Sequence, residues 1–586
     1  VTDVNPKRGS TAGGTKLTIK VLDLPNVDVT KVSVSIAGTA CAVYHVGGGE
    51  VHCTTGSYGR TTKENPGLGR ILLTVDDYGT AATEEAAEYE YIDLWSRLTT
   101  WGGSGPIPGL ETSGDSVWIQ QGQRILLDCN VKLYMLIVQG NLEFDRRDIE
   151  LDANYIFVMG GSFVVGTEAN PFMQKALITL HGSPVSQEIP VYGAKTLSCR
   201  FCTLDLHGKP LRDGRTHTKL AQTANAGDEE IWLKEPVDWD ADSMIAITST
   251  HYNGTFEAFD TAAVVAVTNG GYRLKLASPL IYEHLGETKR FAGGHTAEFR
   301  ANVALLSRNV VVQGDPMSRL DKHGAHIMLH SRDKSHLSIL DRSQGESLTA
   351  RIENIEVRYS GQMGRIGRYS IHFHMIGAVK SSYVRKNSIH HTFNRAIAIH
   401  GVHYLRVQDN VAFETRGHVY FVEDGLETKN VITGNLGANA RENFVGLTSD
   451  ATPAIYWLVN GDNYFERNIA AGGTHCECSA ILNEWSESLC TQMAPWSMLS
   501  SKPLTIYAAC FPLSVAQTAR GSSPSPRSAA PPSSSRAPSR SARRACQSTT
   551  LPTTRGTTWG GTACASSRAA RRTMARAGRA STPSRV

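Results

Sequence analysis

Residues 369–438 read YSIHFHMIGAVKSSYVRKNSIHHTFNRAIAIHGVHYLRVQDNVAFETRGHVYFVEDGLETKNVITGNLGA. Three similar units follow one another. Each has an alternating segment, a glycine (Gly377, Gly401, Gly425), then a short apolar run closed by asparagine (Asn387, Asn410, Asn435). The glycines are 24 residues apart, and the asparagines 23 and 25. A period in the twenties built on strands rather than helices marks a β-solenoid. The fold class is therefore all-β, with a right-handed parallel β-helix at its centre.

Strand parity locates a candidate site in this stretch, because alternate side chains point to opposite faces. Aligned on their glycines, the units place Ile371, Phe373 and Met375, then Ile397 and Ile399, then Val419 and Phe421 inward. The outer face then carries His372 and His374, next Ala396, Ala398 and His400, next His418, Tyr420 and Asp424. Rungs of a solenoid lie about 4.8 Å apart, so His400 is expected beside Asp424, in a shallow polar groove floored by the two alanines. Glu423 has inward parity, so either the strand turns there or the carboxyl is buried and paired.

Three chemistries fit this groove. His372, His374, His400, His418 and Asp424 could do acid–base work on a glycosidic bond. His372, His374, His418 and Asp424 could hold a divalent metal, the cofactor that imidazole with carboxylate suits. Arg368, Tyr420 and Trp457 could line a sugar-binding surface, with the histidines as a hydrogen-bonded ladder.

Working outward, residues 216–475 read as further β-helix repeats, and 93–215 as the first coils, their short strands closed by glycines and Asp or Asn. Residues 1–92 alternate as short strands after a Pro- and Gly-punctuated entry, an immunoglobulin-like sandwich. Cys41 and Cys53 flank a turn there and are expected to pair. Cys199 and Cys202 form a lone CxxC with no second ligand pair for zinc. Asn253 opens an Asn-Gly-Thr glycosylation sequon. These features lean towards an extracellular setting.

From about residue 476 the rhythm is lost. Residues 511–586 hold 13 Arg, no Lys and no acid. That composition reads as a disordered tail or an off-frame translation. Removing those 13 charges from the formal +4 leaves the body at −9, without a general nucleic-acid footprint. No run of 18 apolar residues occurs, and the chain begins with Val. It reads as a fragment, attached to a membrane only through segments outside it.

The motifs carry a resemblance. Pro6-x-x-Gly9-Ser10 followed by Gly13-Gly14-Thr15 resembles the opening of an IPT/TIG domain. GGSFVVGTEANPF, ITLHG and LDLHG, all within 160–208, resemble the G-eight domain. RYSIHFHMIG (368–377) and GHVYFVEDG (417–425) are similar to motifs of the family of fibrocystin, fibrocystin-L and the cell migration-inducing hyaluronan-binding proteins, with Ser370 at a family proline. The resemblance to the fibrocystin branch implies an extracellular receptor or adhesion module at the cell surface. Its partner would be a glycan or another cell-surface protein. The hyaluronan-binding branch implies the alternative, a glycoside hydrolase that depolymerises a hyaluronan-like polysaccharide.

Overall fold

The computed structural model describes residues 1–58, 67–85, 87–251, 257–331, 346–446 and 448–473, with the backbone of one further strand, Cys476–Ile481. The Asn253 sequon and the Arg-rich tail lie outside the described residues. Strand dominates throughout, as the alternating patterns require.

The N-terminal sandwich is antiparallel, with Lys16–Lys20 pairing Glu50–Thr55 and Val32–Ile36 pairing Leu68–Val75. Its alternating residues, among them Leu17, Ile19, Val34 and Leu73, form a separate core. Cys41 and Cys53 are disulfide-bonded across neighbouring strands, with Cα atoms 5.5 Å apart. Arg8 ties the sandwich to the next segment, reaching Glu90 at 2.7 Å and Glu143 at 2.9 Å.

The parallel helix begins with the stacked strands Asp115–Ile119, Val131–Val138 and Ile149–Met159. The last is long enough to pair Ala176–Leu180 along its first half and Thr196–Arg200 along its second. One stack thereby becomes two, and later coils have three faces. A full turn runs through Tyr383–Arg385, Ser388–Thr392 and Ile397–His403, and the next through Arg406–Gln408, Val411–Arg416 and Tyr420–Val422. Ile371, Phe373, Ile397, Ile399, Val422 and Leu458 fill the interior. Each such side chain, taken fully from water, contributes about 1.5–3 kcal/mol.

The asparagines that mark the repeat close the coils against one another. The Asn410 side-chain oxygen accepts from the Asn387 backbone N–H at 3.1 Å and from its side-chain amide at 3.0 Å. Asn435 repeats this beneath Asn410, and Asn468 beneath Asn435. A second ladder joins Asn430 to Asn463. Lys386, Asp409 and Arg467 precede ladder asparagines in the left-handed backbone region, and Gly434 does so at φ 67°. Each corner there must reverse the chain within one residue.

Two boundaries differ from the sequence reading. Residues 217–305 are no run of coils. His217–Lys219, Met244–Ile247, Asp260–Thr268 and Asn302–Leu305 pair antiparallel. They have their own core, including Trp239, Val264 and Leu274. Alternation alone cannot separate antiparallel from parallel pairing. The helix resumes at Val310, directly on Ala176–Leu180. At the other end, Cys476–Ile481 adds a strand in parallel register with Ala454–Leu458, past the expected boundary at 475.

Candidate functional site

The site lies on the stack formed by His326–His330, Ile371–Ala378, Ile397–His403, Tyr420–Val422 and Ala454–Leu458. The register places Met328 beside His372, which lies beside Ala398, and His330 beside His374, which lies beside His400. Three imidazoles converge there. Ring centroids are 5.0 Å apart for His372–His374, 4.8 Å for His374–His400 and 6.2 Å for His372–His400.

His400 meets Asp424 as expected, its Nε2 lying 2.7 Å from Oδ2. Its Nδ1 is 3.6 Å from Glu423 Oε2. Glu427, fully buried, accepts from the Gly401 and Asp424 N–H groups and so pins the corner that carries both acids. Glu423 is therefore a groove residue: the strand ends at Val422, and inward parity ends with it. Burial pushes the Glu423 carboxyl up, opposed by His400.

His372 Nδ1 donates to the Gly367 carbonyl at 3.0 Å. A carbonyl only accepts, so Nε2 carries the lone pair. That atom is buried without a hydrogen-bond partner, as is Glu423 Oε2. Burial, then the neighbouring His374, holds His372 well below the ordinary imidazole range. His374 is pushed down to about 4 by burial and then by His400. His374 Nδ1 and His330 Nδ1 lie 3.0 Å apart. Sequence reasoning missed His330, although IMLH at 327–330 and IHFH at 371–374 align residue for residue.

His372, His400 and Glu423 each offer one ligating atom, all within 4.8 Å of one another. Tetrahedral coordination with bonds of about 2.1 Å needs ligands about 3.4 Å apart, closer than the 4.8 Å within which these atoms lie. The Gly367 contact fixes the His372 tautomer as outer partners of metal-bound histidines do.

Several expected groove residues lie elsewhere. Tyr420 points inward, and its hydroxyl lies 3.2 Å from the Asn410 carbonyl and 3.1 Å from that of Leu436. It stacks on Tyr456 with centroids 4.9 Å apart. Phe421 takes the outward position, and Ala396 lies in the core. Gly425 stands five residues past the register partner of Ile397, whereas Gly401 stands four past Ile397, so glycine alignment shifts parity by one. Met375 is displaced likewise by a bulge at φ 54°, and Ile376 takes its inward place. His418 is fully buried, with Nδ1 accepting from the Ala454 N–H at 3.0 Å. Burial and then Arg395 push it down to about 3. It supports the wall, while the ligating atoms that cluster are those of His372, His400 and Glu423.

Arg368 points away, donating to the Val191 carbonyl at 2.8 Å and to Glu188 at 3.1 Å. Trp457 is half-buried on the groove face, its centroid 4.6 Å from His418. Behind it Arg395, fully buried, makes a bidentate pair with Asp450 at 3.0 Å and lies 3.7 Å over the Phe421 ring. Nothing in the repeat pattern singles out Arg395, because its partner sits 55 residues away outside the repeat.

Comparison with known proteins follows these segments. Family profiles match an IPT/TIG domain over residues 1–91, a G8 domain over 100–221 and a CEMIP beta-helix over 322–502. Fibrocystin-L of Mus musculus and of Homo sapiens are each 35% identical over 511 residues, covering 81% of this chain and 12% of the relative. Fibrocystin of Mus musculus is 29% identical over 436 residues, covering 67% of this chain and 10% of the relative. The chain thus spans about an eighth of the fibrocystin-L length. A tailspike protein of Pseudomonas phage LKA1 aligns at 11% identity over 57% of this chain and 50% of its own, with a TM-score of 0.17, too slight to carry an argument. No helix among the described residues is long and apolar enough to cross a membrane.

Proposed function

This chain belongs to the fibrocystin-L family, and from that premise we propose that it is an extracellular recognition module of a cell-surface protein, binding a glycan along the His374–His400–Asp424 groove. The observation that carries the reading is the open edge of that groove. Asp424 is 48% exposed and His400 20% exposed, while Trp457 offers a partly exposed ring on the same stack. Convergent polar groups beside an aromatic face suit a sugar, which has hydroxyls at its rim and apolar C–H faces. A divalent metal held by His372, His400 and Glu423 would fix the groove and offer its open positions to sugar hydroxyls.

The test is a binding screen of the full chain against immobilised extracellular glycans, hyaluronan included, with and without EDTA. Trp457→Ala and Asp424→Asn should each weaken binding about tenfold, the scale of one lost stacking or charge-assisted contact. Retention by both variants at the wild-type level would overturn the reading.

Glu423 favours a second reading, polysaccharide cleavage. A carboxyl pushed up by burial, beside a histidine already bonded to a second carboxylate, is an arrangement for a general acid and its base. Shortening of hyaluronan that Glu423→Gln abolishes would favour it. Unchanged chain length with retained binding would return the groove to recognition alone.

A further inference from the structure

A second cleft, of about 230 Å³, opens on the neighbouring stack of strands. It is built where Ile355–Arg358, Ser388–Thr392, Val411–Arg416 and Leu436–Arg441 end against one another. At each of these rungs one residue, Tyr359, His391, Glu414 or Asn439, adopts φ of 49°, 52°, 54° or 57°. The repeated corner opens the stack at one place on every rung.

Cations collect there. Arg416 and Arg441 are register partners on adjacent strands, so their backbones lie about 4.8 Å apart. Arg319 and Lys322, at the short helix Ser318–Asp321, complete the lining, each 5.3 Å from an aromatic centroid, that of Tyr359 and that of Phe393 respectively. Among the described lining residues the single carboxylate is Glu414. It is already shared between His391 Nε2 at 3.2 Å and Arg441 at 3.3 Å. His391, pushed down to about 3 by burial and then by His390, adds no charge at neutral pH. Four positive groups thus face one negative group. Arg416 donates to the Glu442 carbonyl at 3.3 Å, and Arg441 Nε is buried with no hydrogen-bond partner.

We propose that this cleft binds a sulfate ester on an extracellular glycan, at a site separate from the histidine groove. Two arginines in register present planar donor forks suited to a tetrahedral oxyanion. The surplus of three charges exceeds what one sugar carboxylate neutralises. The volume lies below the roughly 300 Å³ at which ligand pockets usually begin, which fits one sulfated sugar residue entering from a chain held outside. Because the charge is borne by the arginines themselves, the site does not depend on the histidine groove reading.

The test is calorimetric titration of the full chain at physiological ionic strength with heparin tetrasaccharide, its fully desulfated counterpart, and a hyaluronan tetrasaccharide. Heparin tetrasaccharide should bind at least tenfold more tightly than either control. Arg416→Gln/Arg441→Gln should remove that preference, and Asp424→Asn should leave it intact. Should the arginine pair prove necessary for folding, Arg319→Gln/Lys322→Gln, on the outer lip, should still cut affinity severalfold with an unchanged melting temperature. Equal binding of the sulfated and desulfated sugars would overturn the proposal, as would wild-type affinity in a folded variant of either pair.

Discussion

His372 is held in one tautomer by a backbone carbonyl, with its other nitrogen buried and bare. A buried lone pair without a partner costs about 1–3 kcal/mol, and a bound cation would recover that cost. Zinc titration of the full chain should therefore show one site that His372→Ala weakens by more than about 100-fold, beyond the 10- to 100-fold typical of losing an outer partner. Uptake by His372→Ala equal to wild type would remove it from the ligand set. His418 should behave differently. Fully buried and bonded to the Ala454 N–H, it should when changed to Ala lower stability by about 2 kcal/mol and leave zinc affinity unchanged.

The asparagine ladder is the element that sets the coil. Each rung asparagine satisfies two donors of the coil before it and gives its own amide to a carbonyl, as Asn410 does with Val384 at 2.9 Å. Asn410→Ala would leave buried donors and a carbonyl without partners at about 1–3 kcal/mol each. The expected loss is on the order of 3 kcal/mol in denaturant midpoints, and a loss below about 1 kcal/mol would show that the ladder is replaceable. In the sandwich, the Cys41–Cys53 bond closes a separation of 12 residues. Its removal by Cys41→Ala/Cys53→Ala should cost about 2–3 kcal/mol, seen as earlier melting of that domain alone. The repeat's existence was legible in the sequence because each rung spends similar residues at similar spacing. The antiparallel sheet of 217–305 was not, since its alternation satisfies either kind of pairing.

At the scale of the whole molecule, two fully buried histidines far apart in the chain are displaced in the same direction. His326 and His418, both fully buried, are pushed down to about 3, chiefly by burial. In the unfolded chain they titrate near 6.5. Between those values the unfolded state binds more protons, so stability rises with pH and falls as pH drops below about 6.5. Each buried histidine adds up to about 1.4 kcal/mol per pH unit to that slope. Urea midpoints should therefore fall between pH 7 and pH 5, before the carboxylates titrate. The decline should be shallower in His418→Gln; an equal slope in the two proteins would deny His418 that role.

The division between sequence and tertiary structure follows from what each interaction spans. Period, strand alternation and turn residues are local, so the sequence by itself determined the β-helix and the sandwich before it. It also placed His400 beside Asp424, because one repeat length separates them. Tertiary structure alone decided which face Tyr420 takes. A single-residue difference in the distance to the corner glycine reverses strand parity. It also turned Glu423 into the groove at the end of its strand, and placed Arg395 on Asp450 behind the wall. Strand ends and contacts 55 residues apart depend on how rungs stack, which no local pattern encodes.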